Sequence, residues 1–177
     1  MQPDDREVKP LPVIKVVGIS ASGKSTLVKR LRRAGYDARP VSQEHSNVGD
    51  LWQQFDKPAV LIYLDADLAT QCQRRPDVSW DEQWLRQEQE RLRHAWEHAN
   101  LKINTAALSP GVVGKIALTF LKQERIAHAE QPLPPLRATG SALEPDVAYE
   151  VESEAPLPPD RRERRKGKKL RKQQDKN

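Results

Sequence analysis

Residues 18–25 read GISASGKS: two glycines five positions apart, then a lysine and a serine, with mostly small residues between. Gly18 and Gly23 allow the backbone to turn tightly, so that consecutive N–H groups and the positive end of a following helix dipole converge on one anion. Lys24 would bring a mobile ammonium to the outer phosphates of a polyphosphate. Ser25 would supply a hydroxyl ligand for Mg²⁺, whose other positions go to water and phosphate oxygens. Small side chains at Ser20, Ala21 and Ser22 leave such a cradle open, and Thr26 continues it into the next element. The competing reading is a Gly/Ser connector with a stray lysine. Gly-x-x-x-x-Gly-Lys-Ser counts as evidence for phosphate binding when a buried strand precedes it and a helix follows.

Both flanks meet that condition. Val13, Ile14, Val16 and Val17 form an almost unbroken β-branched run, the signature of a strand buried on both faces. Leu27, Val28 and Leu31 repeat at helical spacing, with Lys29, Arg30, Arg32 and Arg33 on the other side and Gly35 as the stop. Tyr36–Ser42 is a weaker second strand, followed by a short amphipathic piece with Leu51, Trp52 and Phe55. Ala59–Leu64 is a third strand, ended by Asp65 and Asp67. Ser79 and Glu82 form a Ser-x-x-Glu capping box for a helix of about twenty residues. Its apolar stripe of Trp80, Trp84, Leu85, Leu92, Ala95, Trp96 and Ala99 is expected to pack on the sheet rather than to stack bases. Leu101–Ala106 is a last short strand, and Ser109-Pro110 opens a final helix that closes the domain near Lys122. Strands alternating with helices, without hairpin signals, predict an α/β fold: a three-layer parallel sheet of four to five strands flanked by helices.

A phosphoryl-transfer site also needs an acid near Mg²⁺ or near the acceptor hydroxyl. Ligands of open α/β sheets gather at the carboxyl ends of the strands, which selects Glu44 and His45 after the second strand and Asp65 and Asp67 after the third. Glu44 is the first choice for a magnesium contact or a general base, and Asp65 the second. Asp67 is also well placed as a helix N-cap, and His45 as a surface polar residue.

Residues 13–123 resemble the small-molecule kinase branch of the P-loop NTPases, the group that includes nucleoside monophosphate kinases and adenylylsulfate kinases. The octet carries the resemblance to the superfamily. LIYLDADLATQCQRR, similar to the strand and helix that lead into the lid of these kinases, and the arginine-rich segment after it carry the branch. The resemblance implies ATP and Mg²⁺ as cofactors, phosphate and metal roles for Lys24 and Ser25, and lid roles for Arg74, Arg75 and Arg86. Arg86, Arg91 and Arg93 are equally readable as the wet face of the Trp-bearing helix. Three features depart from the family. About sixteen residues separate the second and third strands, too few for substrate-binding helices. Four strands are readable where five are usual, and the second magnesium-holding carboxylate has no obvious counterpart.

Charge and proline divide the rest. Residues 161–177 hold ten Lys/Arg against Glu163 and Asp175, whereas residues 124–160 hold eight acids against Arg125 and Arg137 and seven of the fourteen prolines. The expected organisation is a flexible leader (1–11), a kinase-like domain (12–123), a Pro-rich acidic linker (124–160) and a basic disordered tail (161–177). The tail offers weak contact with nucleic acid or acidic partners, without aromatic residues for base stacking. The single cysteine, Cys72, excludes an intrachain disulfide and reads as a small buried or half-buried thiol. No membrane span or signal peptide is apparent, so a cytoplasmic location is expected. The function expected is transfer of the γ-phosphoryl of ATP to a small-molecule acceptor. ATP is preferred to GTP because no Asn/Thr-Lys-x-Asp segment is present. Alternatives are an accessory NTPase that slowly hydrolyses ATP or GTP to regulate a partner, and a nucleic-acid-associated NTPase that uses the tail.

Overall fold

The computed structural model describes residues 9–136. The tail, most of the linker and residues 1–8 of the leader lie outside them. The apolar run becomes β1 (Val13–Gly18), and the helix after the octet is α1 (Lys24–Arg33). Next come β2 (Asp37–Pro40), 3₁₀ turns at Gln43–His45 and Leu51–Gln53, and β3 (Val60–Asp65). α2 (Leu68–Arg74), α3 (Glu82–His98), β4 (Leu101–Asn104) and α4 (Pro110–Gln123) complete the order. The sheet has four strands in the order β2-β1-β3-β4, and every pairing is parallel. No fifth strand occurs among the described residues.

Successive residues of β1 point to opposite faces, which explains why nearly all of them are apolar. Ile14 and Val16, with Ile62 and Leu64 of β3, face Leu27, Val28 and Leu31 of α1 and Val113, Ala117 and Leu121 of α4. Val17 and Ile19, with Leu61 and Tyr63, face Leu92 and Ala95 of α3 and the ring of Trp52. Each fully buried leucine of these layers, such as Leu31, Leu92 or Leu121, contributes about 1.5–3 kcal/mol by transfer from water. Both faces are therefore closed, as a parallel sheet requires.

Four local expectations change. The N-cap of α3 is Asp81, whose carboxylate accepts the Trp84 N–H at 2.7 Å, so the helix begins beyond the Ser79 box and is shorter than twenty residues. Trp80 consequently lies outside the helix, and Trp84 and Trp96 are 40% and 48% exposed; Leu92 and Ala95 do the packing instead. Cys72 is exposed, because α2 turns Thr70 and Gln71 inward. The chain also stays with the domain beyond Lys122. Ile126 packs on the core, the Ala129 N–H donates to Gly35 O at 2.9 Å and the Leu133 N–H to Arg32 O at 2.8 Å. Ser109 caps α4 through the Val112 N–H as expected. Among the described residues, no helix is long and apolar enough to cross a membrane.

Candidate phosphate-binding site

The loop between β1 and α1 sits at the carboxyl end of the sheet because it follows β1 and all strands are parallel. Gly18 (φ 154°) pairs with Leu64 of β3, and a Cβ there would run into the Leu64 carbonyl. Ile19 N–H donates to that carbonyl at 3.2 Å, and Ser22 N–H to Ile19 O at 3.1 Å, which closes the turn. Ala21 takes the left-handed conformation (φ 61°), a strained state for a residue with a Cβ. Gly23 (φ 98°) is the N-cap of α1, and no side chain caps the helix. The first-turn amides of Lys24, Ser25 and Thr26 thus have no side-chain acceptor, and the positive end of the helix is open. These residues, with Ala21, Ser22 and Gly23, line a cleft of about 680 Å³.

Lys24 anchors the inner end of the loop. Its Nζ donates to Gly18 O at 2.8 Å and Ile19 O at 3.1 Å, and lies 2.6 Å from Glu44 Oε1. Glu44 reaches it because β2 runs parallel to β1 and delivers the Gln43–His45 turn beside the loop. That carboxylate is buried, and Arg91 Nη1 donates to its backbone carbonyl at 3.2 Å. The second oxygen, Oε2, is buried without a partner, and so is Ser22 Oγ. Such atoms want a further polar group. His45 is exposed, its Nε2 3.8 Å from Glu44 Oε1.

Arg74, at the end of α2, forms the opposite wall: its Nη1 donates to Ala21 O and to Thr105 Oγ1, both at 3.0 Å. Arg75 lines the same cleft but is tied to Asp77 by paired bonds at 3.0 Å. The structure thus brings Ala21–Thr26 and Arg74 together on the cleft, with Arg75 also on its lining, while Gly18 and Glu44 touch it only through Lys24. Ser20 is turned away, since both its N–H and its hydroxyl go to Glu88. Asp65 does not line the cleft; it faces a separate hollow with Tyr63, Arg86, Gln89 and Trp96. Burial, with Asp67 adding its charge, pushes the Asp65 carboxyl up, against a bond from the Ala66 N–H. Burial likewise raises Tyr63, and the carboxylates of Asp65, Glu88 and Glu44 add to the effect. Asp67 is the N-cap of α2, accepting the Thr70 N–H at 2.8 Å. Arg86 and Arg93 pair with Glu82 and Glu90 on the wet face of α3, while Arg91 turns toward Asn47 and the Glu44 turn.

Three residues were not singled out in the sequence. Glu88 gathers donors from the loop and α2. Gln71 Nε2 donates to Ser20 O at 3.2 Å and to Glu88 Oε2 at 3.0 Å. Thr105, beyond β4, donates its hydroxyl hydrogen toward Ser22 O and Asp65 O, both at 3.0 Å. The position of Thr105 at the carboxyl end of a strand was the available signal; Glu88 and Gln71 lie in helices among many polar neighbours. No cluster of three His, Cys, Asp or Glu suited to a metal occurs among the described residues. The donors at hand, the Ser25 hydroxyl and the unpartnered Glu44 Oε2, suit a hard cation that keeps most of its ligands from water and phosphate. The chain matches no protein-family model and no curated protein.

Proposed function

We propose that the protein is a P-loop kinase-like phosphotransferase, which binds ATP with Mg²⁺ and passes the γ-phosphoryl group to a small-molecule acceptor. One observation carries the reading: an uncapped helix start, the left-handed Ala21 and Lys24 line one cleft, and Lys24 is paired to the buried Glu44 behind the loop. The polyphosphate lies on the amides of Gly23–Thr26 at the start of α1, where aligned dipoles replace its hydration. Lys24 Nζ, held at the inner end before binding, turns on its flexible stem toward the outer phosphates. Arg74, Thr105 and Leu108 form the opposite wall of the cleft, and the Arg74 guanidinium adds positive charge there for the phosphates. Ser25 and Glu44 would hold Mg²⁺ directly or through water, and that ion would neutralise charge on the phosphates. Glu44, whose Oε2 is buried without a partner behind the loop, is the first choice for either that metal contact or a general base; Asp65, in its own hollow, is less favoured. A cytoplasmic setting, where ATP is available, goes with this activity.

Incubation of the full chain with γ-labelled ATP against nucleosides, nucleotides and small alcohols tests the reading, beside a control without acceptor. Lys24→Ala is expected to weaken ATP binding about 100-fold or more. Because it also strands a buried carboxylate, Lys24→Ala/Glu44→Gln is needed as the folded partner variant. Unchanged ATP affinity in either folded variant refutes the cradle.

A second reading, an accessory NTPase that releases phosphate to water, is favoured by residues 75–81. This connection is closed on itself by Arg75–Asp77 and by Trp80 Nε1 donating to Arg75 O at 3.1 Å, so it leaves the cleft open. Phosphate release in the control, with no labelled product from any acceptor, decides for it. Contact of the basic tail with nucleic acid rests on charge alone. Deletion of residues 161–177 is expected to abolish any salt-sensitive RNA binding.

A further inference from the structure

Glu88 is fully buried in α3, a helix whose other acids are exposed. An apolar residue of similar volume would pack the helix on the sheet without desolvating a carboxylate. Four donors converge on it instead. Oε1 accepts the Ser20 hydroxyl and, at 3.1 Å, Trp84 Nε1–H. Oε2 accepts the Ser20 N–H at 3.3 Å and Gln71 Nε2 at 3.0 Å. With Gln71 also bonded to the Ser20 carbonyl, every polar group of Ser20 is held from α2 and α3. The next residue is the left-handed Ala21, whose carbonyl is gripped by Arg74. A strained residue of this kind persists where its surroundings over-determine it.

We propose that Glu88 is a positioning residue of the phosphate loop: by fixing Ser20 it keeps Ala21–Thr26 set to receive a polyphosphate before one arrives. The proposal rests on the phosphate-binding reading above and adds to it a residue outside the cleft. Preorganisation of this kind acts on affinity, since a loop already ordered loses less freedom on binding. It acts on the phosphates and not on the base, because the held segment carries only the cradle.

The test measures binding of Mg-ATP and of inorganic tripolyphosphate to the full-length protein by calorimetry, with melting temperature as a check on folding. Glu88→Gln keeps the volume but places an amide NH₂ against N–H donors. It is expected to raise the dissociation constant of both ligands by the same factor, about tenfold, while unfolding stays cooperative. Ser20→Ala removes one donor and is expected to weaken both ligands about threefold, and the double variant should be no weaker than Glu88→Gln alone. Ser20→Ala carries the same test if Glu88→Gln does not fold. Unchanged affinity in folded variants, a loss confined to ATP, or losses that multiply in the double variant overturn the proposal. A wild-type protein that binds neither ligand overturns the phosphate reading and this proposal with it, whereas intact wild-type binding with insensitive variants removes only the role of Glu88.

Discussion

The two ends of the sheet treat polar groups in opposite ways. At the amino end of β2, Asp37 Oδ1 accepts Arg32 Nη1 at 3.0 Å and Oδ2 accepts Arg39 Nη2 at 2.8 Å. Arg32 completes its fork on Ala38 O at 3.2 Å and Pro134 O at 2.7 Å. Burial alone would raise the Asp37 carboxyl, but the bonds and charges of Arg39 and Arg32 outweigh it and hold the group below the ordinary range. At the carboxyl end, by contrast, the buried atoms Ser22 Oγ, Glu44 Oε2 and Gln71 Oε1 have no partner, Asp65 is pushed up and Ala21 is strained. One end is saturated, as a structural joint should be. The other keeps spare acceptors, atoms with room for a further polar partner.

If the contrast is real, the largest effect of breaking it is on stability and falls at the saturated end. Arg32→Ala takes one of two arginines from the half-buried Asp37 and strands two carbonyls, and is expected to cost about 2 kcal/mol, read from urea denaturation. ATP affinity of the folded fraction should stay within about threefold, because Arg32 lies away from the cleft. A large loss of affinity would show that the two ends are coupled.

Acid titration of stability sharpens the comparison through opposite signs. Asp37 has a folded value below its unfolded one, so its contribution is complete above about 3.8 and is lost as pH falls through the depressed value. Asp65 has a folded value above its unfolded one, so its cost to folding is complete above the raised value and is relieved as pH falls toward about 3.8. Asp65→Asn keeps the acceptor for the Ala66 N–H and is expected to stabilise the protein by about 1 kcal/mol at neutral pH, with the gain shrinking on acidification. Asp37→Asn should destabilise, with the loss shrinking at lower pH. Parallel pH profiles for the two variants would sink the contrast.

The saturated joint was largely illegible in the sequence, and the open end partly legible, for one physical reason. A strand–loop–helix unit is local: Val13–Val17, Gly18, Gly23 and Lys24 declare it within a dozen residues. The same holds for Val60–Asp65 and for the Ser109-Pro110 helix start, set by short-range packing and capping. Glu44 was found because ligands gather where parallel strands end, and Arg74 through the resemblance of its segment to the lid of small-molecule kinases. Glu88 was missed because its partner Ser20 lies 68 residues away and its own helix is charged nearly throughout. Residues 126–134 were read as linker since they belong to the 124–160 stretch with its seven prolines and eight acids, yet His128 stacks on Tyr36 at 4.8 Å between ring centroids and Arg32 holds Pro134 O. The tryptophans of α3 misled through periodicity, which counts apolar residues but does not say how wide a stripe the sheet covers. Asp81 and Ser79 are both good caps, and only the course of the chain chose between them.

The smallest expected effect tests the strain itself. Ala21 pays for its left-handed backbone about 1 kcal/mol, which a glycine would not. Glycine also gives the unfolded chain more freedom, an opposing effect of about 0.4–1 kcal/mol. Ala21→Gly should therefore leave stability within about 0.5 kcal/mol of wild type, because the two terms nearly cancel. Binding separates them. The freed loop must be ordered when a polyphosphate arrives, so tripolyphosphate affinity should fall about threefold at unchanged melting temperature. Should Ala21→Gly bind as tightly as wild type, the left-handed residue is a by-product of the tight turn, and the loop's order comes from Ser20 and Arg74 alone. A loss larger than that of Ser20→Ala would instead make the backbone at Ala21, more than the Glu88 clamp, the element that keeps the open end poised.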